Sequence, residues 1–462
     1  MFQKELYVNR RKQLINQVKS GVLLFLGNEE SSMNYPANPF RFRQDSTFLY
    51  YWGLDFPGLA AIIDVDNGRE IIFGDDYTID DIVWMGSQMT MKEKAHQIGV
   101  KETKQYKELG GDIEDLKKSG KQIHYLPQYR PENLIKIEAL LGIKVNTVNQ
   151  NISTDFIKAV VAQRSIKSDA EIKEIEYALS IAYEMHTMAM ERTGPGIYER
   201  EIAGAMEGIA NTMGQGLSFP IIFSIHGETL HNHYHGNLMN EGDIVVNDSG
   251  AESFLHYASD ITRTIPVKGT FTPQQKEIYE IVLHAQLSAI DSMKPGVKFR
   301  DVHLLVAKVI TKGLKELGFL KGDIDEAVSE GAHALFFPHG LGHMMGLDVH
   351  DMESLGEDFV GYDDNTRRSD QFGLAYLRMG KELKPGHVIT VEPGIYFIPE
   401  LIDLWREKRK FLHFIDYEKV EKYKSFGGIR IEDDVLVTEK GHRVLGKPIP
   451  KNIREVEDIC SG

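Results

Sequence analysis

The 462-residue sequence has a single cysteine, Cys460, close to its C-terminus. That excludes an intrachain disulfide and any thiolate metal cage, so a bound metal would have to be held by oxygen and imidazole. Long apolar runs are missing too. No stretch approaches the roughly 18 consecutive apolar residues of a membrane-spanning helix, and the opening MFQKELYVNRRKQLINQ has no apolar h-region of a signal peptide. Basic residues are in the minority: 53 Lys and Arg against 68 Asp and Glu leave a formal charge of −15. This balance excludes a broad basic surface for nucleic acid and disfavours anionic membranes. The expectation is a cytoplasmic protein with neither nucleic-acid nor membrane partners. What is present is ordinary globular material, 42% hydrophobic and 26% charged. A chain of this length predicts about two to four domains.

The first part of the chain reads as a small α/β domain. GVLLFLG (21–27) is a short apolar run bounded by glycines, as in a buried strand. LAAIIDV (59–65) and EIIF (70–73) flank Asn67-Gly68 and predict a hairpin. Helical patterns near 90–98 and 131–141 alternate with short strands expected near 122–126 and 143–146. Ser168 with Glu171 three residues on forms a capping box at the start of a helix to about Arg192. Further helices are expected at 198–214, 273–292 and 299–317. We place a domain boundary at 155–165, giving domains 1–158 and 159–462.

The second part concentrates the chemistry. Eleven of the 17 histidines fall between 226 and 350. Four acids sit in otherwise apolar or glycine-rich strings: Asp248 in VVNDSGAE, Asp260 in HYASDITRT, Glu392 in VITVEPGIYF and Glu432 in GGIRIEDDVLV. Buried carboxylates need compensating charge, and Arg263 and Arg430 are too few to supply it. Two divalent cations would neutralise all four, with a neutral imidazole from FPHGLGHMMGLDVHD (337–351) as a further ligand. The glycines around His343 would let backbone approach a crowded site. Such an oxygen-rich set suits Mn²⁺ better than a thiolate-type zinc site, with Co²⁺, Zn²⁺ or Fe²⁺ as alternatives. Arg430 and Glu432 lie two apart, on one face of a strand, which makes Arg430 a partner orienting that acid. EGDIVVND (241–248) and PGHVITVE (385–392) also echo one another, each a β-branched run delivering an acid six residues after a glycine. The echo hints at two related halves.

These strings, in this order, resemble the metallopeptidases of the pita-bread fold, and within them the aminopeptidase P/prolidase (Xaa-Pro peptidase) group. FRQDSTFLYYWG (42–53) is similar to the group's N-terminal signature, and DSGAE…ASDITRT, PHGLGH…DVHD, VEPGIYF and GIRIED to its catalytic motifs. The resemblance implies an α/β N-terminal domain of the creatinase/aminopeptidase P type, followed by an α+β pita-bread catalytic domain. It implies five metal ligands, Asp248, Asp260, His343, Glu392 and Glu432, holding two divalent ions. It places His231 near the substrate, His350 beside the scissile carbonyl and His339 at the proline pocket, with Glu392 also acting as a base. His226, His233 and His235 compete with His231. Between Asp248 and Asp260 this chain has one residue more than most relatives, placed in the turn near Ser253–Leu255.

The implied activity is metal-dependent hydrolysis of the Xaa-Pro bond at the N-terminus of peptides or in dipeptides, by a hydroxide that two metals activate. Arg378, in AYLRMGKELKPG, aligns with an arginine that grips a dipeptide's carboxylate in prolidases. The segment 398–424 is likewise more similar to prolidases. Both lean toward dipeptides. Trp84 resembles a tryptophan that in some relatives reaches a neighbouring subunit, and the group's members are homodimers or homotetramers. The alternative reading is a pita-bread binding or scaffold protein without catalysis; creatinase-like chemistry would leave the five ligands unexplained.

Overall fold

The structure, a computed structural model, describes all 462 residues. The chain divides into two compact units, Met1–Arg164 with Glu353–Phe359, and Ser165–Met352 with Val360–Gly462.

The first unit is built on the apolar runs read in the sequence. β1 (Val22–Leu26) is buried along its whole length, pairing antiparallel with β2 (Ala60–Asp64) and parallel with β5 (Ile123–His124). β2 turns back into β3 (Arg69–Phe73), and β4 (Glu102–Lys104) completes a sheet of order β4-β3-β2-β1-β5. The hairpin is real: Gly68 takes φ +70°, and Asn67 donates to the Asp64 carboxylate at 2.9 Å. The strand expected near 143–146 is absent. Val145–Gln150 is instead a 3-10 helix packed over the sheet through Val148, its backbone bonds closed locally, Thr147 N to Lys144 O and Asn151 N to Val148 O, and not along a strand ladder. The helix Ile79–Met85 buries none of its residues and leaves Trp84 84% exposed.

The second unit carries three small sheets. β6 (Ile222–Ser224), β7 (Ile244–Ser249) and β8 (Ile261–Pro266) form one in sequence order. β9 (Val388–Val391), β12 (Asp433–Val437) and β13 (His442–Val444) form the second, while β10 (Gly394–Tyr396) pairs with β11 (Gly428–Arg430) in the third. The helices Asp169–Arg192, Glu199–Met213, Pro273–Ser292 and Phe299–Glu316 pack around them. Ser168 and Glu171 form the expected capping box. The register decides where the acids go. Asp433 opposes Val391 across β12 and β9, so the next residues out, Glu432 and Glu392, emerge at the same end of that pair. Thr262 of β8 ties the sheets together, since Glu432 N donates to its carbonyl at 3.0 Å.

Candidate metal centre

Asp260, His343 and Glu432 converge, with one ligand atom from each lying within 4.8 Å of the others. His343 Nε2 is 3.4 Å from Asp260 Oδ2 and 3.5 Å from Glu392 Oε1. Its Nδ1 faces the Met344 carbonyl at 3.2 Å, which requires the proton on Nδ1 and turns the Nε2 lone pair toward the acids. Burial and then His350 hold the His343 pKa well below its ordinary value, so the ring is neutral and ready to ligate. His343 reaches this position because residues 341–345 run alongside β9: Glu392 N donates to Leu341 O and Thr390 N to His343 O. Gly342 is essential to that approach, since a Cβ there would sit 1.9 Å from the Thr390 carbonyl oxygen.

The acids are crowded and short of cations. Asp260, Glu432 and Glu392 all have raised pKa values, Glu392 to about 8, chiefly through burial and then, for Asp260, through the charge of Glu432 and, for Glu432, through that of Glu392. Arg263 gives no relief, because its guanidinium is committed to Asp433 at 2.7 Å and to four backbone carbonyls. Arg430 pairs with Asp248 at 2.6 Å rather than with Glu432, whose Oε2 accepts from Thr262 Oγ1 at 2.6 Å. β11 ends at Arg430, so the strand periodicity that put Arg430 and Glu432 on one face does not extend to 432. Three buried carboxylate oxygens, Asp248 Oδ1, Asp260 Oδ1 and Glu432 Oε1, have no hydrogen-bond partner. Orphaned oxygens of this kind cost several kcal/mol unless a cation takes them. With one imidazole and no sulfur, the donor set fits hard divalent ions.

Histidines rim the acids. His350 stacks edge-on against His343, ring centroids 4.4 Å apart, and His339 Nδ1 lies 3.8 Å from Glu392 Oε2. Tyr396, which the sequence does not single out, links two of these groups. Arg430 donates to its hydroxyl at 2.8 Å, and that hydroxyl lies 2.9 Å from His339 Nε2. Since the oxygen accepts from Arg430, its own hydrogen goes to His339. Only the string VEPGIYF could have flagged it. Arg378 is half-buried and its charge acts on both His343 and Glu392. In the loop after β6, His226 pairs with Glu228, while His233 and His235 face the Ile221 carbonyl. His231 is the one acted on by Arg430, Asp248 and His350. The chain between Asp248 and Asp260 makes a tight turn: Glu252 bridges Ala258, and His256 takes φ +65°.

Residues 173–439 match the model of metallopeptidase family M24, and residues 7–124 that of the aminopeptidase P N-terminal domain. The human Xaa-Pro dipeptidase is 31% identical over 96% of this chain and 90% of its own. The Xaa-Pro aminopeptidase of Escherichia coli is also 31% identical, over 98% and 97%. Among solved structures, the aminopeptidase PepP of Pseudomonas aeruginosa superposes with a TM-score of 0.82 at 27% identity, covering 100% of this chain and 98% of that one. With a family match over more than half its length and relatives of this identity along nearly all of it, the chain belongs to metallopeptidase family M24, a hydrolase with an aminopeptidase P-type N-terminal domain.

Proposed function

We propose that this enzyme hydrolyses the Xaa-Pro bond at the free amino end of short peptides, with dipeptides preferred. The observation that carries the reading is the buried cluster of unneutralised carboxylates around a neutral, correctly turned His343. A scaffold protein would have no reason to keep such a cluster. Asp248, Asp260, His343, Glu392 and Glu432 would hold two divalent ions, Mn²⁺ in preference to Co²⁺ or Zn²⁺ because four of the five ligands are hard carboxylates. When bound, such ions supply a nucleophilic water at neutral pH and polarise the scissile carbonyl.

The chain's own groups do the rest. Glu392, whose Oε1 lies 3.5 Å from His343 Nε2, is a carboxylate placed to take a proton from the water and return it to the leaving nitrogen. His350 lies against His343, in position to donate to the developing oxyanion. His339 has both ring nitrogens engaged, Nδ1 by the Gly340 carbonyl and Nε2 by Tyr396, so it offers ring carbon to the substrate, as a wall for proline should. Arg430 holds Asp248 and Tyr396 in place. The peptide nitrogen of Xaa-Pro carries no hydrogen, so a site that needs none there can accept this bond, and an apolar wall beside the histidines would select the proline ring. Arg378 supports the dipeptide preference, as a guanidinium near the acids could take a terminal carboxylate.

Relatives of both names share the same identity with this chain, so the preference needs experiment. With Mn²⁺ added, the chain should release proline from Ala-Pro faster than it cleaves Ala-Pro-Ala; equal or faster cleavage of the tripeptide would reverse the preference. We also propose a cytoplasmic homodimer or homotetramer. The uncovered helix Ile79–Met85, with Ile79, Val83 and Trp84 exposed, supports association. Light scattering on the purified chain should give two or four times the 52.4 kDa chain mass.

A further inference from the structure

One buried carboxylate has no counter-cation and no place in the chemistry above. Glu199 opens the helix Glu199–Met213 and is completely buried. Its Oε1 accepts from Ser224 Oγ at 3.0 Å and from Ile225 N at 2.8 Å. The Asn237 side-chain amide donates to both of its oxygens, at 3.1 and 3.0 Å, and Asn237 N donates to Oε2 at 3.3 Å. A buried carboxylate is tolerated when several donors share its charge, and here every donor lies at one end or the other of the loop between Ser224 and Asn237.

That loop has almost no regular structure and carries His231. Ser224 Oγ passes the anchoring inward: besides donating to Glu199, it accepts from His226 N and from Asn232 Nδ2, both at 3.1 Å. Asn232 Oδ1 then takes Tyr234 N at 3.0 Å, fixing the backbone on the far side of His231. Two main-chain bonds reinforce the clamp, Glu199 N to Asn237 O at 3.1 Å and Arg200 N to His235 O at 3.0 Å.

We propose that Glu199 is a positioning residue: through Ser224, Asn232 and Asn237 it holds the loop 225–236 so that His231 faces the substrate. The inference rests on the reading of His231 as the histidine beside the substrate. Glutamine at 199 keeps the shape but offers one acceptor oxygen where the loop presents several donors.

A double-mutant cycle on the Mn²⁺-loaded full chain tests it, with Ala-Pro as substrate and Mn²⁺ affinity measured alongside by calorimetry. Glu199→Gln should lower kcat/KM by about 10²-fold, the scale of a misplaced catalytic group. Mn²⁺ affinity should stay within about twofold, since the ligands lie on other segments. Adding Glu199→Gln to His231→Ala should change the rate by no more than about twofold, because the residue being positioned is already gone. Ser224→Ala, a smaller change, should repeat the pattern and decides the matter should Glu199→Gln fail to fold. Additive losses, or lost Mn²⁺ affinity, would overturn the inference while leaving His231 its role. Wild-type rates in His231→Ala would overturn both.

Discussion

Arg430 shows what a single side chain contributes here. Its guanidinium meets Asp248, the Tyr396 hydroxyl and Thr262 Oγ1, so Arg430→Met leaves a buried carboxylate and a buried hydroxyl without their donor. We predict Mn²⁺ affinity about 10–100-fold weaker, read by calorimetric titration of metal-stripped protein. Glu392→Gln should abolish Ala-Pro hydrolysis while leaving the circular dichroism spectrum unchanged; turnover in Mn²⁺-repleted Glu392→Gln would remove Glu392 from its proposed role. At this scale the acids were legible, because a carboxylate inside a β-branched string is expensive and has to be explained. Tyr396 was not, because a tyrosine beside isoleucine and phenylalanine looks like core until its hydroxyl is seen between Arg430 and His339. The partner of Arg430 was also hidden, since spacing along a strand predicts a face only while the strand continues.

Among the elements, the glycine-rich string around His343 has the most exacting requirement. Residues 341–345 lie against β9 so closely that Gly342 has no room for a methyl group. Gly342→Ala should therefore destabilise the protein by about 1–3 kcal/mol or more, as overpacking does, and should weaken Mn²⁺ binding with it. A melting temperature equal to wild type would show that the approach is looser than described. The echo between 241–248 and 385–392 became two small sheets, with Asp248 inside β7 and Glu392 just past β9. The four long helices of the second unit and the strands β1, β2 and β3 were readable from periodicity and caps. The expected strand at 143–146 was not one, because pairing is a property of neighbours that a local run of residues does not reveal.

The whole molecule is held by balances that respond to pH and to metal. His186, His303 and His387 are buried and lowered to about 3, and His333 to about 4, in each case mainly by burial. These values lie below the unfolded value near 6.5, so between them the unfolded chain binds more protons, and stability is lost as pH falls from about 6.5. Each histidine should cost roughly 2 kcal/mol by pH 5, visible as a falling melting temperature between pH 7 and 5. A flat profile over that range would mean these rings are not buried neutral. The excess of acid that defines the composition has a second meaning at the candidate metal centre, where Asp260, His343 and Glu432 converge from distant parts of the sequence. The most direct test is to strip the protein with chelator and follow proline release from Ala-Pro as Mn²⁺ is titrated back. The account predicts no release without metal and a plateau at two Mn²⁺ per chain; release from stripped protein, or none at two equivalents, would contradict it.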